Sequence, residues 1–369
     1  MKYLAEVIPS PISPMRRLRA WLSSRQPALC LLCLLFIPMI VMMVGEGTVV
    51  WGQNAEPTST ARESRTVMVA LDGSGQYTSI QDAIDEAKSG DTIRIKAGEY
   101  QEDVTIHSKD RLRLIGDGVD QVKILGRERV GVFHIGKWPY GATQIEISGM
   151  TIHEHGGHAM GIFNGRNIVL HDVRINGMLF GQQVQDVRIE RCRIGGSETT
   201  GVQFADSQAV LVGNLIHDND HGVTVAGKST IQLERNVITR NLFEGVIVTD
   251  HAKVVLTSNT ITKNGGGVAF LKTAQGEASG NVVGLNQVGF LIAPSSHPVL
   301  SYNAVQNSEH NYIQAGDAPT PAPELRPETD VTAAPQFVDP SRNDFRLTRD
   351  SKLVHVGKFA YLGAFPPVE

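Results

Sequence analysis

The sequence predicts an all-β protein wound as a single-stranded parallel β-helix of about eleven coils, with a capping helix before it and a C-terminal tail docked on its outer face. Three columns of residues carry this expectation. Asn214, Asn236, Asn259, Asn281 and Asn303 recur at intervals of 22, 23, 22 and 22 residues, and Asn219, Asn241, Asn264 and Asn286 follow at 22, 23 and 22. Gly201, Gly222, Gly245, Gly267 and Gly289 keep nearly the same period. The shared unit reads N-x-[IV]-x-x-N followed by G-[VF]-x-[VIF], as in NVITRN with GVIV and NTITKN with GVAF.

A unit this short cannot bury its own apolar side, so it must stack on its neighbours. Direct stacking sets equivalent residues ~4.8 Å apart, the spacing of adjacent strands. The β-branched segments between Gly and Asn read as strands, and nothing after residue 90 keeps a helical period. An Asn repeated at one bend is expected to take the left-handed backbone there and to hydrogen-bond its neighbour one coil above. Leucine-rich repeats share the period, but the leucine columns they need are missing.

Hydrophobic residues make up 41% of the chain and aromatics only 6%, so Val, Ile and Leu must fill the interior. Alternation in GVTV turns Val223 and Val225 inward, beneath Val246 and Val248, Val268 and Phe270, and Phe290 and Ile292. The outward residues run Gln203, Thr224, Ile247, Ala269, Leu291, from polar to apolar. The tail is expected to cross that apolar stretch, because Ile247 and Leu291 would otherwise stand exposed and Phe345, Leu347, Leu362 and Phe365 need burial.

Residues 1–52 read as an export signal or a membrane anchor. The stretch 27–45, PALCLLCLLFIPMIVMMVG, is uncharged and apolar and follows Arg16, Arg17, Arg19 and Arg25. Pro38 and Gly45 favour a signal cleaved before Gln53; left uncleaved, the stretch would just span a bilayer and be the chain's membrane contact. Met15-Arg-Arg-Leu-Arg makes a more usual signal start than Met1. A linker at 53–65 leads to the β-helix at 66–315, a Pro-rich linker at 316–335 and a docking tail at 336–369. Within 78–90, TSIQDAIDEAKSG, Thr78 and Gln81 read as a capping box, Ile80, Ala83, Ile84 and Ala87 form one stripe, and Gly90 ends the helix. Cys30 and Cys33 lie in the apolar run and only Cys192 remains beyond it, so disulfides do not hold the fold. A formal charge of -4 leaves no electrostatic footprint for nucleic acid.

Residues 72–106, DGSGQYTSIQDAIDEAKSGDTIRIKAGEYQEDVTI, resemble the opening of pectin methylesterases and of bacterial proteins with the pectin-lyase-like right-handed β-helix. The N-x-I-x-x-N coils and the tail segments FVDP, NDFRL and LGAF are similar to those of secreted bacterial members of that superfamily. The resemblance implies right-handed coils and leaves activity to be argued from a site. The methylesterase catalytic pattern is not matched. In Cys192-Arg-Ile-Gly-Gly-Ser-Glu-Thr-Thr, Thr199 stands where that family has an Asp, Glu198 falls one place early, and no Gly-Arg-Pro-Trp segment occurs. The Asp-Pro-His of mannuronan epimerases is approached only by Asp218-Asn-Asp-His221.

Uronan lyases and epimerases need a cation against the sugar carboxylate and a base for the adjacent proton. The candidate catalytic set is Asp218, Asp220 and His221, with Arg240 and Lys263 in the columns above Asp218. His221 would act as acid or base near neutral pH. The candidate substrate-binding set is His153, His155 and His158, near His171 and Asp172, with Trp138 and Tyr140 as an aromatic platform. His153 and His217 share a column, but Asn176 and Gly195 intervene, which leaves ~14 Å between them. No third ligand accompanies the H-x-H pair, so no metal is assigned; Asp218 and Asp220 are hard oxygen ligands that would take calcium. Against these readings stand bland ones: a solvated polar bend, ordinary turn residues, and a surface charge ladder.

The expected function is an exported β-helix repeat protein that engages a polysaccharide along its lateral face. A lyase, epimerase or hydrolase acting on an acidic polysaccharide, and a structural or adhesive surface protein using the apolar outer face, are the alternatives.

Overall fold

The computed structural model describes residues 64–127, 131–137, 139–154, 157–316 and 319–368. The export segment 1–52, residues 53–63 of the first linker, Trp138 and His155 lie outside the described residues. Among the described residues no helix is long and apolar enough to cross a membrane.

Each coil gives one strand to each of three sheets in turn. Sheet 1 has eleven strands, from Thr66–Val69 to Val299–Ser301, and sheet 2 has ten, from Gly98–Gln101 to Ala304–Gln306. Sheet 3 runs from Val104–Ile106 to His310–Gln314, all parallel, and ends on a short antiparallel strand, Thr320–Pro321. The register repeats from coil to coil: Ile152, Ile175, Ile194, Ile216, Ile238 and Ile261 form one inward column of sheet 2. All six are fully buried. Burying an aliphatic side chain of this size contributes ~1.5–3 kcal/mol, and one core cluster extends from Val69 to Tyr312.

Between sheets 1 and 2 the first Asn column forms a buried ladder. Asn236 Oδ1 accepts from the backbone N of Asn214 at 3.0 Å and from its Nδ2 at 2.9 Å, and Asn236 Nδ2 donates to Leu211 O at 2.8 Å. Asn259, Asn281 and Asn303 repeat the pattern. The second column does the same between sheets 2 and 3, from Asn219 to Asn286, and continues through Asn307.

The expected left-handed Asn is corrected by one position. The positive φ belongs to the residue before each rung: Gly213, Arg235, Ser258, Gly280 and Tyr302 in the first column, and Asp218, Arg240, Lys263 and Leu285 in the second. A non-glycine residue there costs ~1–2 kcal/mol, which the rung's several hydrogen bonds offset. The glycine column is also not a turn. It permits close approach: a Cβ at Gly201 would fall 2.5 Å from Asn219 Nδ2, and one at Gly267 would fall 2.5 Å from Gly289 O.

Both ends are closed. The helix α1, Ile80–Glu86, is shorter than expected, and its N-cap is Ser79, not Thr78. Ser79 Oγ accepts from Asp82 N, while the Glu102 carboxylate accepts from Ile80 N, Gln81 N and Ser79 Oγ. Ile80, Ala83, Ile84 and Ala87 join the core. At the other end, the stretch expected to be a free Pro-rich linker instead folds onto the last coil. Pro321 pairs with Ile313, Leu325 packs on the core, and Val331 bridges Ala304. Asp330 is buried there and accepts from Asn303 N, Asn303 Nδ2 and Tyr312 OH.

The tail lies against sheet 2, not across the Ile247 and Leu291 side of sheet 3. Leu347, Leu353 and Leu362 cluster with Val282 and Ala304, and Phe345 and Ala364 with Val237. Ala364 N donates to Thr260 Oγ1, Gly363 N donates to Gly280 O, and Lys263 Nζ donates to Pro340 O at 3.0 Å. Arg240 forks onto Asp218, with Nε and Nη2 each at 2.9 Å, and its Nη1 donates to Asn343 Oδ1. In the later coils of sheet 2, Val237, Val282 and Ala304 face outward, so apolar area draws the tail there. Ile247, only 6% exposed, does not need it.

Asn259→Ala should strip buried partners from the coils before and after it and lower stability by at least ~2 kcal/mol in urea denaturation. Deletion of 336–369 should expose Val237, Val282 and Ala304, lower Tm and raise binding of an apolar dye; an unchanged Tm would make the tail an appendage. Arg240 holds the Asp218 carboxyl below its ordinary range. The resulting stability is therefore present above the unfolded carboxylate pKa and is lost as pH falls through the lowered folded one. Arg240→Gln should flatten that part of the acid-denaturation curve.

Candidate functional site

The residues expected to form one catalytic set fall into two groups. Asp218, Arg240 and Lys263 sit at left-handed positions of the bend from sheet 2 to sheet 3 and serve the tail. His217 extends their network: Arg193 Nε donates to His217 Nε2 at 3.0 Å, so the ring proton is on Nδ1, 2.6 Å from Asp218 Oδ2. Burial lowers the His217 pKa and favours this neutral form. With both oxygens of Asp218 engaged, the Asp218 and Asp220 pair is a poor calcium site. The charge ladder is structural.

His221 and Asp220 belong elsewhere. His221 opens a strand of sheet 3, stacks on Phe243 with ring centroids 5.1 Å apart, and places Nδ1 3.1 Å from Glu244 Oε2. Glu244 occupies the equivalent position one coil on, and both side chains are nearly enclosed. Asp220 is half-buried, and its backbone carries the coil contacts, N to Ser197 O and O from Phe243 N.

The histidine cluster also divides. His153 is exposed at the end of its sheet 2 strand and, as the spacing requires, is three registers from His217 through Asn176 and Gly195. His171 lies beside sheet 1, between Glu146 and Asp172, in an ion network with Arg113 and Arg191. His158 lies two residues ahead of the sheet 3 strand Met160–Phe163, where its partner is a residue absent from the sequence reading: His134, with the two Nε2 atoms 2.9 Å apart. Burial lowers both pKa values, so both rings are neutral at pH 7. Phe163 and Phe180 pack beside them. Tyr140 is 62% exposed and takes part in no ring contact among the described residues.

A second residue missed from sequence is Glu154. It is half-buried, its Oε2 has no hydrogen-bond partner, and desolvation, with repulsion from Glu198, raises its pKa. Glycine at 177 makes the room, because a Cβ there would strike this carboxylate. A carboxyl group whose pKa is raised in this way is suited to general-acid work. The E-H dipeptide and the glycine one coil on were visible signals, but burial was not. Cys192, by contrast, is inert: it is buried, and desolvation pushes its thiol pKa up to about 12.

The outer face of sheet 3 therefore changes character along the rod. His134, Gly161, Phe180, Gln203, Thr224 and Ile247 occupy one column on consecutive coils. Rings lie at one end, uncharged polar groups in the middle, and aliphatic side chains beyond. The His221 and Glu244 pair borders the middle.

Comparison with known proteins agrees with this architecture. The Pectinesterase family profile matches residues 66–154. A pectinesterase of Petunia integrifolia is 42% identical over 82 residues, 21% of this chain and 20% of its own length. An Arabidopsis thaliana protein named a probable pectinesterase/pectinesterase inhibitor 6 is 41% identical over 71 residues, 17% of this chain and 13% of its own. The chain thus spans a fifth or less of these relatives. Among solved structures, the pectate lyase Pel9A superposes with TM-score 0.53 at 15% identity, over 84% of this chain and 98% of its own. XylC in complex with xylose gives TM-score 0.54 at 10% identity, over 68% and 70%. These two share the fold. The profile described as Right handed beta helix region matches residues 131–252 and 200–321, more than half of the chain, which therefore belongs to that family.

Proposed function

We propose that this is an exported protein that binds a polysaccharide lengthwise along the outer face of sheet 3. The single observation behind the reading is the ordered column on that face. Phe180, with Phe163 beside it, offers ring surface to a sugar, and Gln203 and Thr224 in the next two coils offer an amide and a hydroxyl to its hydroxyl groups. The coil spacing of ~4.8 Å sets these three groups along ~10 Å of a linear chain. The column carries no formal charge, and Arg240 and Lys263 face the tail, so a neutral or esterified glycan suits it better than a polyanion. The pectin-directed names of the partial relatives support a polysaccharide ligand, and the Arg-rich, apolar start of the chain supports export.

A second reading, a carbohydrate-active enzyme, is favoured by the His221 and Glu244 pair. An imidazole and a carboxylate 3.1 Å apart and nearly enclosed are groups suited to proton transfer.

The test is calorimetric titration of the secreted protein with neutral, esterified and de-esterified glycans, together with assays for released or unsaturated products. Phe180→Ala should weaken glycan binding at least ~10-fold, as loss of a stacking ring does. Binding confined to polyanions and lost in Arg240→Ala instead would overturn the binding mode. If there is turnover, His221→Ala and Glu244→Gln should each reduce it at least ~100-fold. Full activity in both would move the chemistry to Glu154, and no turnover would leave the binder.

A further inference from the structure

We propose that His134 and His158 form a binding site for a borderline divalent transition metal ion, zinc or copper, with its remaining positions open to solvent. The two Nε2 atoms converge to 2.9 Å, one from the sheet 3 strand Phe133–Ile135 and the other from just ahead of its partner strand Met160–Phe163 one coil on. Two nitrogens each ~2.0–2.1 Å from one ion stand ~2.9 Å apart at a right angle and ~3.4 Å apart at the tetrahedral angle, so the rings need to part by no more than roughly 0.5 Å. As they stand, one ring donates from Nε2 and the other accepts. Moving the donor's proton to its Nδ1 leaves two lone pairs facing one point.

The surroundings keep that point clear. A Cβ at Gly131 would fall 2.6 Å from His134 Nε2 and 2.7 Å from His158 Nε2, and one at Gly161 would fall 3.0 Å from His158 Nε2. Glycine at both positions leaves room beside the nitrogens that a Cβ would take. Phe163 and Phe180 hold the ring planes from the side, at centroid distances of 5.9 to 6.5 Å. A metal ion takes the two imidazoles in their neutral form. Among the described residues no cluster of three or more His, Cys, Asp or Glu accompanies them. Among the described residues the two imidazoles are the ligands, and water or a sugar oxygen would add to the shell. Imidazole nitrogen selects zinc or copper over calcium and magnesium.

The experiment uses the full, tag-free chain after chelator treatment. Titration with Zn2+ and Cu2+ should reveal one site that is weakened at least ~30-fold in His134→Phe and in His158→Phe and is unchanged in His153→Ala. Thermal melts establish that the variants fold. Electron paramagnetic resonance of the wild type with one equivalent of Cu2+, which needs no variant, should show coupling to imidazole nitrogen. Equal affinity in all variants, an oxygen-only copper signal, or displacement of Zn2+ by millimolar Ca2+ would each overturn the proposal. Because glycan binding is lost in Phe180→Ala and metal binding in the histidine variants, the two readings fail separately.

Discussion

The structure depends on the hydrogen bond between an asparagine amide and the asparagine one coil later. Each rung is buried, so water cannot replace it, and a coil that slipped by one residue would leave several polar groups orphaned at ~1–3 kcal/mol each. From Asn214 to Asn307 the ladder therefore fixes the register of all three sheets, including the inward columns there. It also has a direction. Each Nδ2 donates to the Oδ1 of the following coil, so the last rung must meet a group that only accepts. Asp330 fills that place for the first column, accepting from both nitrogens of Asn303. Burial raises its pKa, while its three donors oppose that shift. At the start, Asn214 Oδ1 accepts from Cys192 N, where the column has no earlier asparagine.

The same constraint explains which surface is available for function. Left-handed residues before each rung throw their side chains outward at the bends, and there Asp218, Arg240 and Lys263 become anchors for the tail. Sheet 2 is then covered in its later coils. Sheet 1 mixes exposed aliphatic and charged residues, with the Glu146, His171 and Arg191 network along one border. Sheet 3 is left with a long outer column whose chemistry changes coil by coil.

That column gives one scaffold several local environments. Near His134 aromatic rings pack beside a half-buried pair of imidazoles. Near Thr224 small polar groups lie beside an imidazole and carboxylate pair. Stacking turns a change in sequence every 22 or 23 residues into a gradient along an axis, and a linear polymer is the ligand shape that can sample such a gradient. The proposed metal site lies at the ring-rich end and the proton-transfer pair toward the middle.

Periodicity by itself determined the coil, the three columns, the inward residues and the capping stripe of α1, because these follow from stacking identical units and need no distant contact. The shared column of His153 and His217, and their separation, were legible for the same reason. Tertiary structure decided the rest. The tail chose sheet 2 because Val237, Val282 and Ala304 face outward there, which a sequence cannot show until the three faces are assigned. Arg240 and Lys263 left the catalytic set because Asn343 and Pro340, about 100 and 77 residues away, take their donors. His158 found His134 rather than His153 because residues one coil apart touch across a sheet, whereas neighbours in sequence turn a corner and part. Glu154 and Glu244 became chemically distinctive only through burial, a property of packing that no local pattern encodes.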